Sequence, residues 1–193
     1  VQMGELIAYL RDKLPADAIL TNGAGNYASW LHRFYRFRKF KTYLGPTNGS
    51  MGYGVPSAVA AKLVHPERIV VSFNGDGCFL MNGQELATAV QHQANVVFLV
   101  INNGMYGTIR MHQEREYPAR VSGTDLRNPD FAALARAYGA HGEMVAKTEE
   151  FAPAFERCLK AGKPALIEVK LDPEAITPRA GLSEIRAAAL KKK

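Results

Sequence analysis

An aspartate lies between two glycines, Gly75-Asp76-Gly77, directly after a run of apolar residues. The run Ile69–Phe73 predicts a buried strand, and the two glycines predict a sharp turn where the strand ends. Asp76 would then lie at the carboxyl end of a strand, with no bulky neighbour to shield it. An acid in such a place is either a turn former or a ligand.

A second polar pair, Asn102-Asn103, ends the next predicted strand along the chain. Asn103 follows Asp76 by 27 residues, which is about one helical crossover between neighbouring parallel strands. The carboxylate and the amide oxygens would then converge at one end of the sheet. A single carboxylate with neutral oxygens suits Mg²⁺, which takes about six oxygen ligands and leaves several of them to phosphates and water. The backbone N–H groups of Gly77 and Cys78 could bind a phosphate there.

Two glycine-rich loops are expected at the same edge, because ligands bind outside the carboxyl ends of parallel strands. The first loop, Gly23–Ala28, reads GAGNYA and matches the dinucleotide fingerprint, but the acid expected about 20 residues later is missing. A loop that approaches another phosphate is favoured, and a non-catalytic, Rossmann-like nucleotide-binding module remains the alternative. The second loop, Gly45–Ala58, contains four glycines that permit close approach of the backbone to a ligand. From this loop alone, Met51 is as compatible with the core as with a ligand contact.

The surrounding sequence alternates short apolar strands with helical segments. This pattern predicts an α/β fold in which a parallel sheet of about six strands carries helices on both faces. Asn82 and Glu85 have the spacing of a capping box at the start of a helix. We expect residues 172–193 to form a surface tail. The expected strands are 18–22, 41–45, 68–73, 95–102, 140–145 and 164–171, and the expected helices are 1–14, 27–37, 52–64, 83–93, 129–138 and 149–161.

Length and composition fit one globular domain, with 193 residues of which 47% are apolar and 22% are charged. No apolar run reaches the roughly 18 residues that a membrane span needs. Cys78 and Cys158 form no CxxC motif, which favours a reducing, cytoplasmic setting. The first residue is not methionine and no signal-peptide features follow, so we expect a piece cut from a longer chain, and a naturally separate subunit is the alternative.

The densest basic stretch, Arg33–Lys41, interleaves aromatic residues with cations, as single-strand nucleic-acid binders do. An amphipathic helix end with solvated cations explains the same pattern and is favoured, because no RNA-binding motif accompanies it. We therefore expect no nucleic-acid partner.

The combination of these four loops resembles the thiamine diphosphate enzymes, in which a GDG is followed some 25 to 30 residues later by NN. The segment NGSMGYGVPSA is similar to the corresponding loop of the acetolactate synthase and benzoylformate decarboxylase group, and the likeness extends to PALIEVKLDPEAITP near the end. The resemblance implies a thiamine diphosphate-binding fold, with this chain as the C-terminal, diphosphate-binding domain of a 2-oxo acid decarboxylase or carboligase.

The resemblance also implies roles for individual residues. Asp76, the side chain of Asn103 and the backbone carbonyl of Met105 would bind Mg²⁺. The Gly49 carbonyl would accept a hydrogen bond from the 4′-amino group of the cofactor, and Met51 would be the apolar wedge that bends the cofactor. The remaining implied cofactor contacts are Gly25, Asn26, Tyr27, Ser50, Gly75, Gly77, Cys78 (as a backbone donor), Tyr106, Gly107 and Thr108, of which the last three would lie on the substrate side.

One catalytic part is expected elsewhere. In this family a glutamate that hydrogen-bonds the pyrimidine ring of the cofactor belongs to a separate pyrimidine-binding domain, often of another subunit. The resemblance therefore implies that the chain supplies half of an active site, that its partners are a pyrimidine-binding domain and a 2-oxo acid, and that it forms a homo-oligomer. We expect the chain by itself to be inactive.

Overall fold

A single parallel sheet organises the computed structural model, which describes residues 1–192. Within these residues six strands pair in the order β2-β1-β3-β4-β6-β5, and every pair is parallel. The prediction of an α/β fold with about six parallel strands is confirmed. The strands are β1 (Ile19–Asn22), β2 (Tyr43–Leu44), β3 (Val70–Gly75), β4 (Val97–Asn102), β5 (His141–Val145) and β6 (Ala165–Lys170).

Helices cover both faces of this sheet. Alternate residues of the buried strand β4 point to opposite sides, so that Leu99 and Ile101 join one hydrophobic cluster while Phe98 and Val100 join the other. The first cluster is completed by α1, α2 and α8, and the second by α3, α4, α5 and α7. The helices are α1 (Met3–Lys13), α2 (Ala28–Phe34), α3 (Gly54–Val64), α4 (Asp76–Asn82), α5 (Glu85–Gln91), α6 (Gly107–Glu116), α7 (Phe131–Ala137), α8 (Thr148–Lys160) and α9 (Leu182–Leu190).

The predicted turn at Gly75–Gly77 and the predicted capping box are wrong. Helix α4 begins at Asp76, directly after β3, and Asn82 is its last residue. The Asn82 amide donates to the Gly52 carbonyl at 3.2 Å, and α5 has Gln84 at its N-cap without a side-chain cap. Glycine, aspartate and asparagine are poor helix formers, so the burial of Phe79 against the sheet outweighs the local preference of α4.

One further helix boundary differs from the predictions, and one helix was not predicted. Helix α2 ends at Phe34, because Tyr35 takes an extended backbone and places its buried ring 4.9 Å from that of Phe37. Helix α6 was not predicted, because its residues are mostly polar and show no apolar periodicity. It packs against α9 instead of entering the main core.

The chain after β6 returns across the carboxyl ends of the strands. Ile176 and Leu182 are buried against Met105 and Met111 in a small third cluster, and α9 then lies along α6. Lys193, the last residue of the predicted surface tail 172–193, lies outside the described residues. Within residues 1–192 no helix has the length and apolar character needed to cross a bilayer.

Candidate cofactor-binding site

The sheet has a switch point between β1 and β3, from which the strand order proceeds in opposite directions. Ligands of open α/β sheets bind in the crevice outside the carboxyl ends of the strands at such a point. A cavity of about 70 Å³ lies there, between the loops that follow β1, β3 and β4. Leu171, Ala175 and Ile176 of the returning chain close another side of it.

The structure brings most of the sequence-predicted site residues to this one cavity. Gly49 and Ser50 do not line it: both are exposed, and the Ser50 hydroxyl donates to Asn48 Oδ1 at 2.7 Å. The cofactor contacts proposed for these two residues stay predictions. The predicted residues that line the cavity are Gly25, Asn26, Tyr27, Met51, Gly75, Asp76, Gly77, Cys78, Asn103, Met105, Tyr106, Gly107 and Thr108.

Asp76 is buried, with 2% of its surface exposed, and aromatic rings lie on both sides of it. A Cβ atom added to Gly75 would lie 2.7 Å from the Tyr27 ring, and one added to Gly77 would lie 2.6 Å from the Tyr106 ring. The expectation of an unshielded Asp76 is therefore wrong. The absence of side chains at Gly75 and Gly77 makes room for these two rings.

The Asp76 carboxylate accepts three hydrogen bonds. Gly77 N–H donates to Oδ1 at 2.9 Å, while Gly104 N–H and the Asn128 amide donate to Oδ2 at 2.9 and 2.8 Å. Burial raises the pKa of Asp76, and these hydrogen bonds oppose that rise. In the described part of the chain no lysine, arginine or histidine pairs with this carboxylate. A buried carboxylate without a cationic partner is a place where a bound cation would be strongly favoured.

The two asparagines after β4 are held differently. Strands β3 and β4 are neighbours, with Gly75 opposite Ile101, as the 27-residue spacing predicted. Asn102 Oδ1 accepts from both Gly104 N–H and the Asn128 amide, and its own amide donates to buried Glu168 at 2.6 Å. Asn103 Oδ1 accepts one weak bond, from Met105 N–H at 3.3 Å, and lies at the cavity. The second asparagine thus keeps an oxygen available, whereas the first is used by the protein.

The donor set at the cavity fits a small, hard cation. One carboxylate, the Asn103 amide oxygen and backbone carbonyls are the oxygen ligands that Mg²⁺ prefers. A further polar atom, Asn128 Oδ1, is buried and has no hydrogen-bond partner among the described residues. Such an acceptor is costly unless a donor such as a water molecule reaches it.

The sequence analysis did not predict the hydrogen-bond network beside Asp76, which consists of Asn102, Asn128 and Glu168. Asn128-Pro129 precedes Asp130, whose side chain caps α7 by accepting from Ala133 N–H at 2.8 Å. An Asn-Pro pair just before a helix cap is a turn signal that could have drawn attention to Asn128. For Glu168 the signal was a charged residue in the middle of a strand that is otherwise apolar and buried.

The loop after β1 is tied to the start of α6. Asn26 N–H donates to Thr108 Oγ at 2.9 Å, and that hydroxyl donates to Asn26 Oδ1 at 3.1 Å. The Cys78 thiol donates to the Ala24 carbonyl at 2.8 Å, and burial raises its pKa. A thiol that stays protonated is a poor nucleophile. The role of Cys78 as a backbone donor to the cofactor stays a prediction.

A buried ion-pair cluster fastens the returning chain over the site. Glu114 of α6 is 1% exposed and receives two hydrogen bonds from Arg186 of α9, at 2.6 and 2.8 Å. Arg110 and the backbone N–H of Ala119 also donate to it, at 3.1 and 2.9 Å. The hydrogen bonds from Arg186, opposed by burial, lower the pKa of Glu114 to about 2. Because Ile176 precedes α9 and lines the cavity, this cluster stabilises one wall of the site.

We expect Glu114→Gln to destabilise the protein and to flatten its stability below pH 5. A carboxyl pKa lowered from 4.5 to about 2 corresponds to stabilisation on the order of 3 kcal/mol. This stabilisation is complete above about pH 5, because the folded-state pKa lies below the ordinary value, and it is lost as the pH falls from about 4.5 to about 2. Thermal unfolding at pH 7 should show a Tm lower by roughly 6–12 °C. Glu116→Gln, at an exposed neighbouring position, is the control. An equal loss of Tm in the two variants would contradict the stabilising role of the buried ion-pair cluster around Glu114.

Comparison with known proteins agrees with this geometry. Residues 23–169 match the model of the family described as thiamine pyrophosphate enzyme, C-terminal TPP binding domain. That range includes the loops after β1, β3 and β4 and the loop that carries Met51.

Full-length relatives show similarity over most of the chain. The chain is 32% identical over 169 residues to the acetolactate synthase isozyme 2 large subunit of Escherichia coli, which aligns with 86% of the chain and 31% of that relative. It is 36% identical over 180 residues to the acetolactate synthase large subunit of Corynebacterium glutamicum, covering 86% of the chain and 29% of the relative. It is 36% identical over 155 residues to the mitochondrial acetolactate synthase catalytic subunit of Saccharomyces cerevisiae, covering 80% of the chain and 23% of that relative. The chain thus spans less than a third of the length of each of these relatives.

Proposed function

Because the chain belongs to the thiamine pyrophosphate enzymes, as a C-terminal TPP-binding domain of acetolactate synthase-like proteins, we propose that it binds the cofactor diphosphate through Mg²⁺ and forms half of the active site of a 2-oxo acid decarboxylase or carboligase. The family membership supplies the cofactor, and the residues at the cavity supply the argument for the metal and for the division of the site.

The convergence of Asp76, Asn103 and Met105 on one cavity carries the proposal. These residues come from the ends of two neighbouring strands, and Asp76 is the one carboxylate that lines the cavity among residues 1–192. In the proposed site Asp76 provides the negative charge for Mg²⁺, the Asn103 side chain and the Met105 carbonyl provide neutral oxygens, and the remaining positions fall to phosphate and water. Gly25, Asn26 and Tyr27 line the same cavity, where the diphosphate would contact the first loop.

The chemistry divides between the cofactor and the chain. When bound, thiamine diphosphate supplies the electron sink that stabilises the carbanion left after a 2-oxo acid loses CO₂. The chain's own residues orient and shield it. Met51 is half-buried, packs against the core beside the cavity and would press on the bound cofactor as an apolar wedge. The Gly49 carbonyl would accept a hydrogen bond from the 4′-amino group, while Tyr106, Gly107 and Thr108 would lie towards the substrate.

We propose that a pyrimidine-binding domain, of the same protein or of a second subunit, covers this cavity. The volume of about 70 Å³ is small beside the roughly 300–1,000 Å³ of complete ligand pockets, as expected of a site that lacks some of its walls. Near the loop of Met51, Tyr53, Leu80 and Met81 expose 36%, 43% and 44% of their surfaces. A Cβ atom at Gly52 would lie 2.8 Å from Met81 Cβ, so this apolar surface continues into the loop. A covering domain would bury it.

The proposed reaction class follows from the relatives, which are named acetolactate synthases. The substrate would be a 2-oxo acid, and the enzyme a lyase or a transferase that works as a homo-oligomer in the cytoplasm. The two buried cysteines are free thiols, which suits a reducing compartment. Among residues 1–192 no lysine, arginine or histidine lines the cavity, so recognition of the substrate carboxylate would fall to the covering domain.

Calorimetry on the purified chain tests the proposal against the alternative of a nucleotide-binding module that uses the GAGNYA loop. Thiamine diphosphate should bind in the presence of Mg²⁺ and should lose affinity when EDTA removes the metal. NAD should not bind, since the acid that a dinucleotide ribose needs is missing from the sequence. FMN, which carries a single phosphate, is titrated as a second nucleotide and should not bind either. Binding of NAD with no binding of thiamine diphosphate would support the alternative.

Met51→Ala, in a complete enzyme that contains this chain, should lower turnover far more than cofactor affinity. An apolar wedge acts on the geometry of the bound cofactor, and misplacing reacting atoms by about 1 Å costs on the order of 100-fold in rate. The metal and phosphate contacts would remain. Steady-state turnover and the Kd for thiamine diphosphate are the measurements, with the exposed Met144→Ala as control. Unchanged turnover with a large loss of affinity would show that Met51 is packing.

A further inference from the structure

The carboxylate of Asp76 does not present its two oxygens equally. Oδ2 accepts from two close donors, Gly104 N–H at 2.9 Å and the Asn128 amide at 2.8 Å, while Oδ1 accepts from Gly77 N–H at 2.9 Å. Met105 N–H, which donates to Asn103 Oδ1 at 3.3 Å, adds a weaker interaction with the carboxylate. A carboxylate oxygen has about two lone-pair sites, so its two close donors saturate Oδ2, whereas Oδ1 has one close donor. We propose that Asn128 is a positioning residue that occupies Asp76 Oδ2 and directs Oδ1 to the metal, an inference that rests on the proposed Mg²⁺ site.

Asn128 belongs to a closed ring of hydrogen bonds. The Gly104 N–H and the Asn128 amide each donate to Asp76 Oδ2. Both also donate to Asn102 Oδ1, the Gly104 N–H at 3.1 Å and the Asn128 amide at 2.8 Å. Two donors therefore alternate with two acceptors, and the Asp76 carboxylate cannot rotate without breaking two bonds. The ring ties the end of β3 to the end of β4 through a residue 52 positions further along the chain than Asp76.

Asn128 is itself held from the far side of the ring. Asn102 donates to the buried Glu168 of β6, and Glu168 accepts from Phe131 N–H, at the start of α7, at 3.2 Å. Lys170 also pairs with Glu168. Because Asn128 stands two residues before Asp130, the N-cap of α7, the same network fixes the segment that carries it. The hydrogen bonds of the chain itself thus hold the Asn128 amide in place for Asp76.

The ring predicts a preference for Mg²⁺ over Ca²⁺. Mg²⁺ demands near-octahedral geometry and suits one carboxylate oxygen, whereas Ca²⁺ accepts bidentate carboxylates and looser geometry. While Asn128 holds Oδ2, Asp76 can bind a metal through Oδ1 only. Without that amide, Oδ2 regains a free lone pair and the carboxylate becomes able to bind a larger ion through both oxygens.

Asn128→Leu and Asn128→Ala test the inference. Leucine keeps the branched shape of asparagine without a donor, and alanine removes the donor without adding bulk. Thiamine diphosphate binding to the chain would be followed by calorimetry at a series of Mg²⁺ concentrations and again with Ca²⁺. Loss of a residue that orients a metal ligand costs about 10- to 100-fold in metal affinity. We expect that loss for Mg²⁺ and a several-fold smaller loss for Ca²⁺ in both variants.

Asp130→Ala provides the matched structural control. It removes the N-cap of α7 two residues from Asn128 and should cost about 1 kcal/mol of stability without touching Asp76. Its Mg²⁺ affinity should equal that of the parent. An equal loss of affinity in Asp130→Ala, or an unchanged ratio of Mg²⁺ to Ca²⁺ affinity in both Asn128 variants, would overturn the positioning role. A parent chain that binds thiamine diphosphate equally well with and without metal would overturn the proposed function itself, and this inference with it.

Discussion

Asp76→Ala is expected to abolish Mg²⁺-dependent binding of thiamine diphosphate while the chain stays folded. Asp76 is the one carboxylate at the cavity among residues 1–192, and no cation of the described chain neutralises it. Its loss leaves the metal with neutral oxygens only, and the double negative charge of the phosphates then lacks its bridge to the protein. We expect calorimetry to show at least about a 100-fold weaker apparent affinity, the upper end of what loss of a supporting residue alone costs.

Two further variants separate charge from shape in this experiment. Asp76→Asn keeps the size of the side chain and removes its charge, so it should lose nearly as much metal affinity as Asp76→Ala. Asp125→Ala changes the net charge of the chain equally, but its carboxylate is 81% exposed and it should bind as the parent does. Circular dichroism and the Tm check that each variant is folded. Parent-like binding by Asp76→Ala would place the metal elsewhere.

The sequence was sufficient for the sheet because the strands are apolar on both faces. Buried parallel strands such as Val97–Asn102 have a continuous apolar run that few other structures explain. The 27-residue interval then placed Asp76 and Asn103 at neighbouring strand ends, and the register of Gly75 with Ile101 confirms that step. The convergence of the site follows from these two facts, because the interval has the length of one helical crossover between neighbouring parallel strands.

The helices next to the site were harder to predict, for a physical reason. Helix α4 starts with Asp76-Gly77, residues that favour turns, and it forms because Phe79 is buried against the sheet. Helix α6 lacks an apolar stripe because it is held partly by charge, through Glu114 and Arg186. Contacts between residues far apart in sequence determine both elements, and a local pattern does not contain them.

The same limit explains why Asn128 was missed. Its function depends on a contact with Asp76, and nothing in the local sequence RNPD distinguishes an amide that bridges two strand ends from one that caps a turn. Asn103 was assigned as a metal ligand through the resemblance, and that assignment stays a prediction. In the structure Asn102 Oδ1 accepts two hydrogen bonds, whereas Asn103 Oδ1 accepts one at 3.3 Å. The spacing of Asp76 and Asn103 in the sequence thus locates the site, whereas the hydrogen bonds of Asn102, Asn103 and Asn128 in the structure distinguish what each residue does there.

The chain by itself should not decarboxylate or ligate a 2-oxo acid at a useful rate. The cofactor carries the carbanion chemistry, but the protein must orient it and provide an acid or base at its pyrimidine ring. Within residues 1–192 the cavity is lined by one carboxylate, and Asp76 is committed to the metal in the proposed site. The other buried carboxylates, Glu114 and Glu168, are each occupied by cationic partners and backbone N–H groups. Among the described residues, no buried or cavity-lining carboxylate is therefore free to serve the pyrimidine ring.

Exposure adds a second reason for this expected inactivity. Ile109 lines the cavity and is 51% exposed, and Leu80 and Met81 beside the Met51 loop are similarly open to water. Water that reaches the reacting carbon screens the fixed dipoles that would stabilise developing charge there.

A decarboxylation assay with purified chain, Mg²⁺ and excess thiamine diphosphate, on pyruvate, benzoylformate and 2-oxobutanoate, should give turnover far below the roughly 1 s⁻¹ at the lower end of ordinary enzymes. Adding a pyrimidine-binding domain from an acetolactate synthase-like relative should raise it, provided that the exposed surface around Tyr53, Leu80 and Met81 accepts that domain. Turnover near 1 s⁻¹ from the chain alone would mean that a residue within it supplies the catalytic acid or base, and the half-site assignment would then be wrong.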